Sequence, residues 1–300
     1  MNGYPFPIVD VDTVKDLLLE VAPDWSEFLD TLESSGGRLE FREELGEAVS
    51  RLNIGNYPRL YENEAAAGHM MGVAMLGAEG LSELDAAMAS ASPTERGAML
   101  REIGTELEEV FIAFDLNVSA DTKASANAAF NALSPDEQVE AVKFAQRVLM
   151  VLLAVLHQQL SIMVHGEKLS ALISRAKLGD DAAFLKAIQI DKRILSQIPY
   201  FDDRFQRAHM RGERPFITAV SRKLEAPPYA GRIEHKKLWL AFSLLDGVGL
   251  LDACDGNALL DLLHEVGVVD DQRPIYDVKN LHKLKARYRA FQALQAVSTP

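Results

Sequence analysis

The sequence predicts an all-α chain: a multi-helix bundle around one long apolar central helix, with stacked short helical hairpins in its C-terminal part. Three observations carry that expectation. Nearly every segment repeats its apolar residues at spacings of three and four, and clear strand alternation is absent. Two proline-containing capping boxes, Ser92-Pro93-Thr94-Glu95 and Ser134-Pro135-Asp136-Glu137, mark helix starts, because the serine caps, the proline suits the first turn and the glutamate reaches back. Residues 148–156 are apolar without interruption, as in the central helix of a large core or in a membrane span.

In chain order, residues 13–21 and 24–32 read as two short helices separated by Pro23, the second stopped by Gly36-Gly37. Phe41, Leu45, Val49 and Leu52 give a third, and 53–58 a loop. Residues 65–81 are apolar and glycine-rich, and Gly68-His69-Met70-Met71-Gly72 has the GxxxG form that lets helices approach closely. Met99, Ile103, Leu107, Val110 and Phe114 form the apolar face of the helix that starts at Ser92, and the alanine-rich 120–133 leads into the central helix at 134–164. That helix is roughly 45 Å long at the usual rise per residue. Beyond Gly166 the expected helices are shorter: 168–178, a helix capped by Asp180 and reaching 198, 202–211, 215–224, 235–253, 258–266, and a last one from Asp277 to about 296. No fixed-period repeat establishes a solenoid. A boundary near Gly166 divides an acidic region, 1–165 with the central helix, from a moderately basic module, 166–300.

The net charge of −13 is unevenly placed: 27 acids and 8 bases up to Glu140, then 17 acids and 23 bases, a split of −19 against +6. Such asymmetry bears on partners rather than on fold. A single cysteine, Cys254, excludes an internal disulfide framework and fits a reducing compartment; with an N-terminus that lacks a signal-peptide pattern, the expected location is cytoplasmic. The uninterrupted apolar run is too short for a span, and extending it admits His157, Gln158, Gln159 and Ser161, so a buried core helix is expected rather than a membrane segment.

The residue patterns that could carry catalysis are few. Ile8-Val9-Asp10-Val11-Asp12-Thr13 resembles the first motif of haloacid-dehalogenase-type phosphotransferases. The resemblance implies a nucleophilic Asp10 and an acid/base Asp12 beside magnesium, on a strand of a parallel sheet. It covers these few residues only; Pro5 and Pro7 interrupt the strand, and the competing reading makes Asp10 to Thr13 a helix start with acids favoured by the dipole. Glu102, Glu106 and Glu109 share a helix face, but no Glu-x-x-His occurs for a di-iron bundle, and Asp261 with His264 is a single pair. His157, Ser161 and His165 make a polar stripe on an apolar helix, read as core residues hydrogen-bonded to neighbours. Cys254 lies between acids expected to raise its pKa. The glycine-rich segment lacks the phosphate-loop and dinucleotide spacings. No catalytic residue, metal ligand or cofactor is assigned.

Two basic sets remain. Arg204, Arg207 and Arg211 follow helical spacing; in the last helix Lys279, Lys283 and Arg287 flank one side of an apolar stripe, and Lys285 and Arg289 flank the other. Solvated faces, or docking onto acids of the chain itself, explain them without a ligand; phosphate binding is the sharper alternative. The resulting expectation is a non-enzymatic interaction or adaptor protein working through helical surfaces on a protein partner. The alternatives are a nucleic-acid-associated protein using the basic C-terminal module and a membrane-inserting effector; no small-molecule ligand is inferred.

Overall fold

A computed structural model describes residues 7–34, 57–62, 64–102, 128–227, 235–269 and 277–296. Among them every regular element is helical, as the apolar spacing predicts. In chain order these are α1 (Val11–Ser34), a 3₁₀ turn (Tyr57–Glu62), α2 (Glu64–Ser90), a helical stretch at 93–102, α3 (Pro135–His165), α4 (Leu169–Lys177), α5 (Asp181–Ile190), α6 (Ile194–Gln197), α7 (Pro199–Arg211), α8 (Arg214–Glu225), α9 (Lys236–Gly247), α10 (Gly256–Glu265) and α11 (Val278–Ala296). The helix expected around Phe41 to Leu52 and most of those expected at 99–114 and 120–133 lie outside the described residues.

Caps behave as their chemistry dictates. Both boxes close: the Ser92 N–H donates to Glu95 at 2.8 Å and the Ser134 N–H to Glu137 at 2.7 Å. Each serine hydroxyl accepts from the glutamate N–H in return. Asp10 accepts from the Thr13 N–H at 2.7 Å, which makes it the cap of α1, and the described residues before it, 7–9, form no strand. Asp180 and Asp255 cap α5 and α10 through two N–H groups each, and Asp277 accepts from Asn280 at 2.7 Å. Gly212 ends α7 in the left-handed region (φ 66), where glycine alone is unstrained.

Three helix boundaries differ from the sequence expectation, each for a local reason. Pro23 does not split α1: it sits on the exposed side, where the Leu19 carbonyl that loses its partner can reach water. The helix from Asp180 stops at Ile190 rather than 198, because buried Asp191 turns to extended backbone and accepts from the Tyr61 hydroxyl (2.9 Å) and the Arg193 N–H (3.0 Å). The helix expected over 235–253 ends at Gly247 and continues as turns. Within α2, Gly77 (φ 73, ψ 171) breaks the helical path, and Gly72 lies so near Leu81 that a β-carbon there would fall 2.7 Å from its Cδ1. Half of the GxxxG pair thus marks a close approach.

The chain forms two compact units, and they do not divide it at Gly166. One comprises Phe41–Tyr57 and Ala65–Leu153; the other comprises Met1–Glu40, Pro58–Glu64 and Ala154–Pro300. In the first, the Arg96 Nε donates to the Met88 carbonyl at 2.7 Å, tying the 93–102 helix to the end of α2.

The second unit has an apolar core that explains its membership. Val14 and Leu18 of α1, and Ile162 and Met163 from the end of α3, are buried with Leu238, Phe242, Leu263, Leu281 and Tyr288. Burying its apolar face there packs α1 against α9, and Lys15 of α1 pairs with Glu265 of α10. By sequence this unit therefore holds 28 acids and 24 bases and the other 16 and 7, which makes the split at Glu140 a poor guide to the charge of the folded units. A second apolar centre in the same unit lies among α4 to α8, where Phe184 stacks on Phe201 (ring centroids 4.5 Å apart) and meets Phe216 at 5.2 Å.

Candidate interaction surface

The polar stripe of α3 is structural. Lys168 precedes α4 without offering a side-chain cap. Gln158 of α3 does so instead: its Oε1 accepts from the Leu169 and Ser170 N–H groups at 2.9 and 3.3 Å, and its Nε2 donates to the Ser170 hydroxyl. The Ser161 hydroxyl, fully buried, donates to the Glu167 carbonyl at 2.8 Å. The Glu167 carboxylate is enclosed between Arg175 (2.5 Å) and Lys186 (3.1 Å), and Arg175 also grips Asp180, the cap of α5. Polar groups in an apolar helix thus fix where α4 and α5 begin, and satisfying each keeps their burial cost low.

His165 completes this cluster. Its Nε2 is enclosed without a hydrogen-bond partner, and the ring bonds to the Lys186 main chain. Burial, then the charges of Lys186 and Lys223, depress its pKa from 6.5 to about 3. The unfolded chain therefore takes up this proton first as pH falls below 6.5, and the stability contributed by the neutral ring is lost between there and 3. At about pH 5 the loss is at most about 2 kcal/mol. Carboxylates held low by cations add their own loss only further down, so a urea titration in the window above pH 4.5 isolates the histidine. His165→Gln flattens that window; an unchanged slope would contradict the assignment.

The eight basic candidates divide sharply. Arg204 is engaged on all sides: Nε and Nη2 donate to Asp181 (3.2 and 2.9 Å), Nη1 to Glu213 (2.8 Å), and its guanidinium lies 3.9 Å from the centre of the Phe216 ring. Lys285 and Arg289 converge on the turn after α9, Lys285 on Asp252 at 2.9 Å and Arg289 on Asp246 and Asp252. Against the cost of burial, those two cations hold the Asp252 carboxyl below its usual range. The Tyr288 hydroxyl also reaches Asp246, at 3.4 Å. These three bases therefore serve the fold, docking onto acids of their own unit.

The other five face solvent. On α11, Lys279, Lys283 and Arg287 are exposed in a row, Arg287 passing over the Trp239 ring at 5.7 Å. On α7, Arg207 donates to the Asp203 carbonyl and Arg211 lies 3.9 Å from a Glu213 oxygen while remaining 71% exposed. Between these arginines stands Met210, 78% exposed, and Arg214 follows, exposed as well. Charge spacing alone misses Met210. Its signal is an apolar residue out of phase with the buried stripe of Phe201 and Ala208.

Cys254 is partly buried; burial pushes its thiol up, Lys285 opposing and Asp255 adding, so the dominant cause is the interior rather than the acids. Among the described residues no three His, Cys, Asp or Glu side chains cluster so as to hold a metal ion. By length and composition α3 suffices to cross a membrane, and half of its most apolar window is buried within the protein. No protein-family model, no curated protein and no solved structure matches this chain, so the reading of its surfaces stands on their geometry.

Proposed function

We propose that this chain is a non-enzymatic cytoplasmic interaction protein, and that the end of α7 is its surface for an acidic, amphipathic segment of a protein partner. The observation that carries the proposal is Met210, 78% exposed between Arg207 and Arg211. Keeping a flexible thioether in water on a cationic face costs solubility without serving the core. Methionine and arginine are both enriched in protein interfaces, methionine because its unbranched chain adapts to different apolar neighbours. The single free thiol accords with a reducing compartment. Pairing of Arg204, Lys285 and Arg289 within the fold removes three of the eight bases available to phosphate, which disfavours the nucleic-acid reading.

Comparative capture tests it. Proteins retained by the whole chain are compared with those retained by the triple variant Arg207→Glu, Met210→Asp, Arg211→Glu. These side chains are exposed, so the variant is expected to stay folded. A specific partner lost by at least tenfold supports the proposal. Identical retention would refute it, as would salt-sensitive binding of labelled DNA or RNA that the same variant abolishes.

A further inference from the structure

The exposed row on α11 has a counterpart elsewhere in the same unit. Lys279, Lys283 and Arg287 recur every four residues along one exposed face of α11, spanning roughly 12 Å of helix. On α1, Asp12, Asp16 and Glu20 recur every four residues along an exposed face of equal length. The side chains flanking the two rows also correspond. Beside the acids of α1 stands Leu19, 46% exposed, and beside the bases of α11 stand the exposed alanines Ala286 and Ala290, small enough to admit a leucine. The opposite faces of both helices are spent on the core, Val14 and Leu18 from α1 and Leu281 and Tyr288 from α11.

We infer that this chain associates with a second copy of itself, the carboxylate row of α1 in one protomer lying along the cationic row of α11 in the other. The occupant is argued from charge and register. Three acids and three bases at identical helical intervals fall opposite one another in a single alignment, and with the two helices antiparallel Leu19 also meets the alanine side of α11. Because one protomer carries both rows, a two-fold pair makes the contact twice. A polyanion would meet only the basic row and would be repelled by the acids of the same unit. This surface is separate from the α7 surface, so either can fail alone.

Sedimentation velocity of the full chain, at low and at high salt, tests it. The wild type is expected to dimerise at low salt and to dissociate as salt screens the rows. Reversing the bases (Lys279→Glu, Lys283→Glu, Arg287→Glu) or the acids (Asp12→Lys, Asp16→Lys, Glu20→Lys) sets like charges together and weakens self-association roughly a hundredfold. The decisive arm mixes the two variants. Each is monomeric alone, yet each presents what the other lacks at both contacts, so the mixture forms a heterodimer; this also shows that both variants are folded. A wild type monomeric at every salt concentration would overturn the inference, and so would variants that dimerise alone or a mixture that does not.

Discussion

Replacing Phe184 with alanine is expected to destabilise the α4–α8 region by about 4 kcal/mol, the largest effect of any single substitution considered. The ring is fully buried, stacked on Phe201 and tilted against Phe216, which is itself covered by the Arg204 guanidinium. Truncation removes the middle member of the stack. The helices on either side cannot close the gap, because Arg204 is fixed by Asp181 and Glu213. Phe184→Leu keeps most of the volume and should cost about 1.5 kcal/mol or less. The chain has two tryptophans, Trp25 and Trp239, and both belong to the same compact unit as Phe184, so fluorescence in a urea titration follows that unit's unfolding. A loss under 1 kcal/mol for Phe184→Ala would mean that the stack does not carry the packing assigned to it.

Glu167→Ala comes next, with an expected loss of about 3 kcal/mol. The carboxylate has no exposed surface and holds Arg175 and Lys186 together. Removing it leaves two cations facing each other across the start of α4. Both retain some contact with water, which keeps the estimate at the lower end of values for a broken buried pair. Glu167→Gln separates charge from shape: it keeps the acceptor for one cation and should recover part of the loss. Equal stability of the alanine variant and the wild type would show that the cations find solvent at no cost.

Local chemistry was legible in the sequence wherever it is local in the fold. Ser92, Ser134, Asp180 and Asp277 are caps whose partners lie two or three residues away, so spacing alone reveals them. The stop at Asp191 depends on Tyr61, 130 residues earlier, and no window along the chain contains both. The basic faces teach the same lesson. Helical spacing puts Lys283 and Lys285 on opposite flanks of the apolar stripe without showing which flank meets acids; Asp252 engages Lys285 and leaves Lys283 in solvent. Likewise the acidic and basic halves seen along the chain are mixed by the packing of α1 on α9, which the apolar period of α1 predicts only as burial, without naming the surface that covers it. The Asp10 motif shows the converse. Two aspartates and a threonine at the right spacing look like chemistry, and the hydrogen bond from the Thr13 N–H shows Asp10 serving as a helix cap.

Whether a protein partner docks at the exposed end of α7 is read out by site-directed photo-crosslinking from position 210. A benzophenone side chain placed there in the full chain, in the cells that produce it, is compared with one at Asp261, an exposed residue of α10. A discrete protein adduct is expected from position 210, absent at 261 and lost when Arg207 and Arg211 are reversed to glutamate. The same adducts from both positions, or adducts from 210 that survive the reversal, would contradict it.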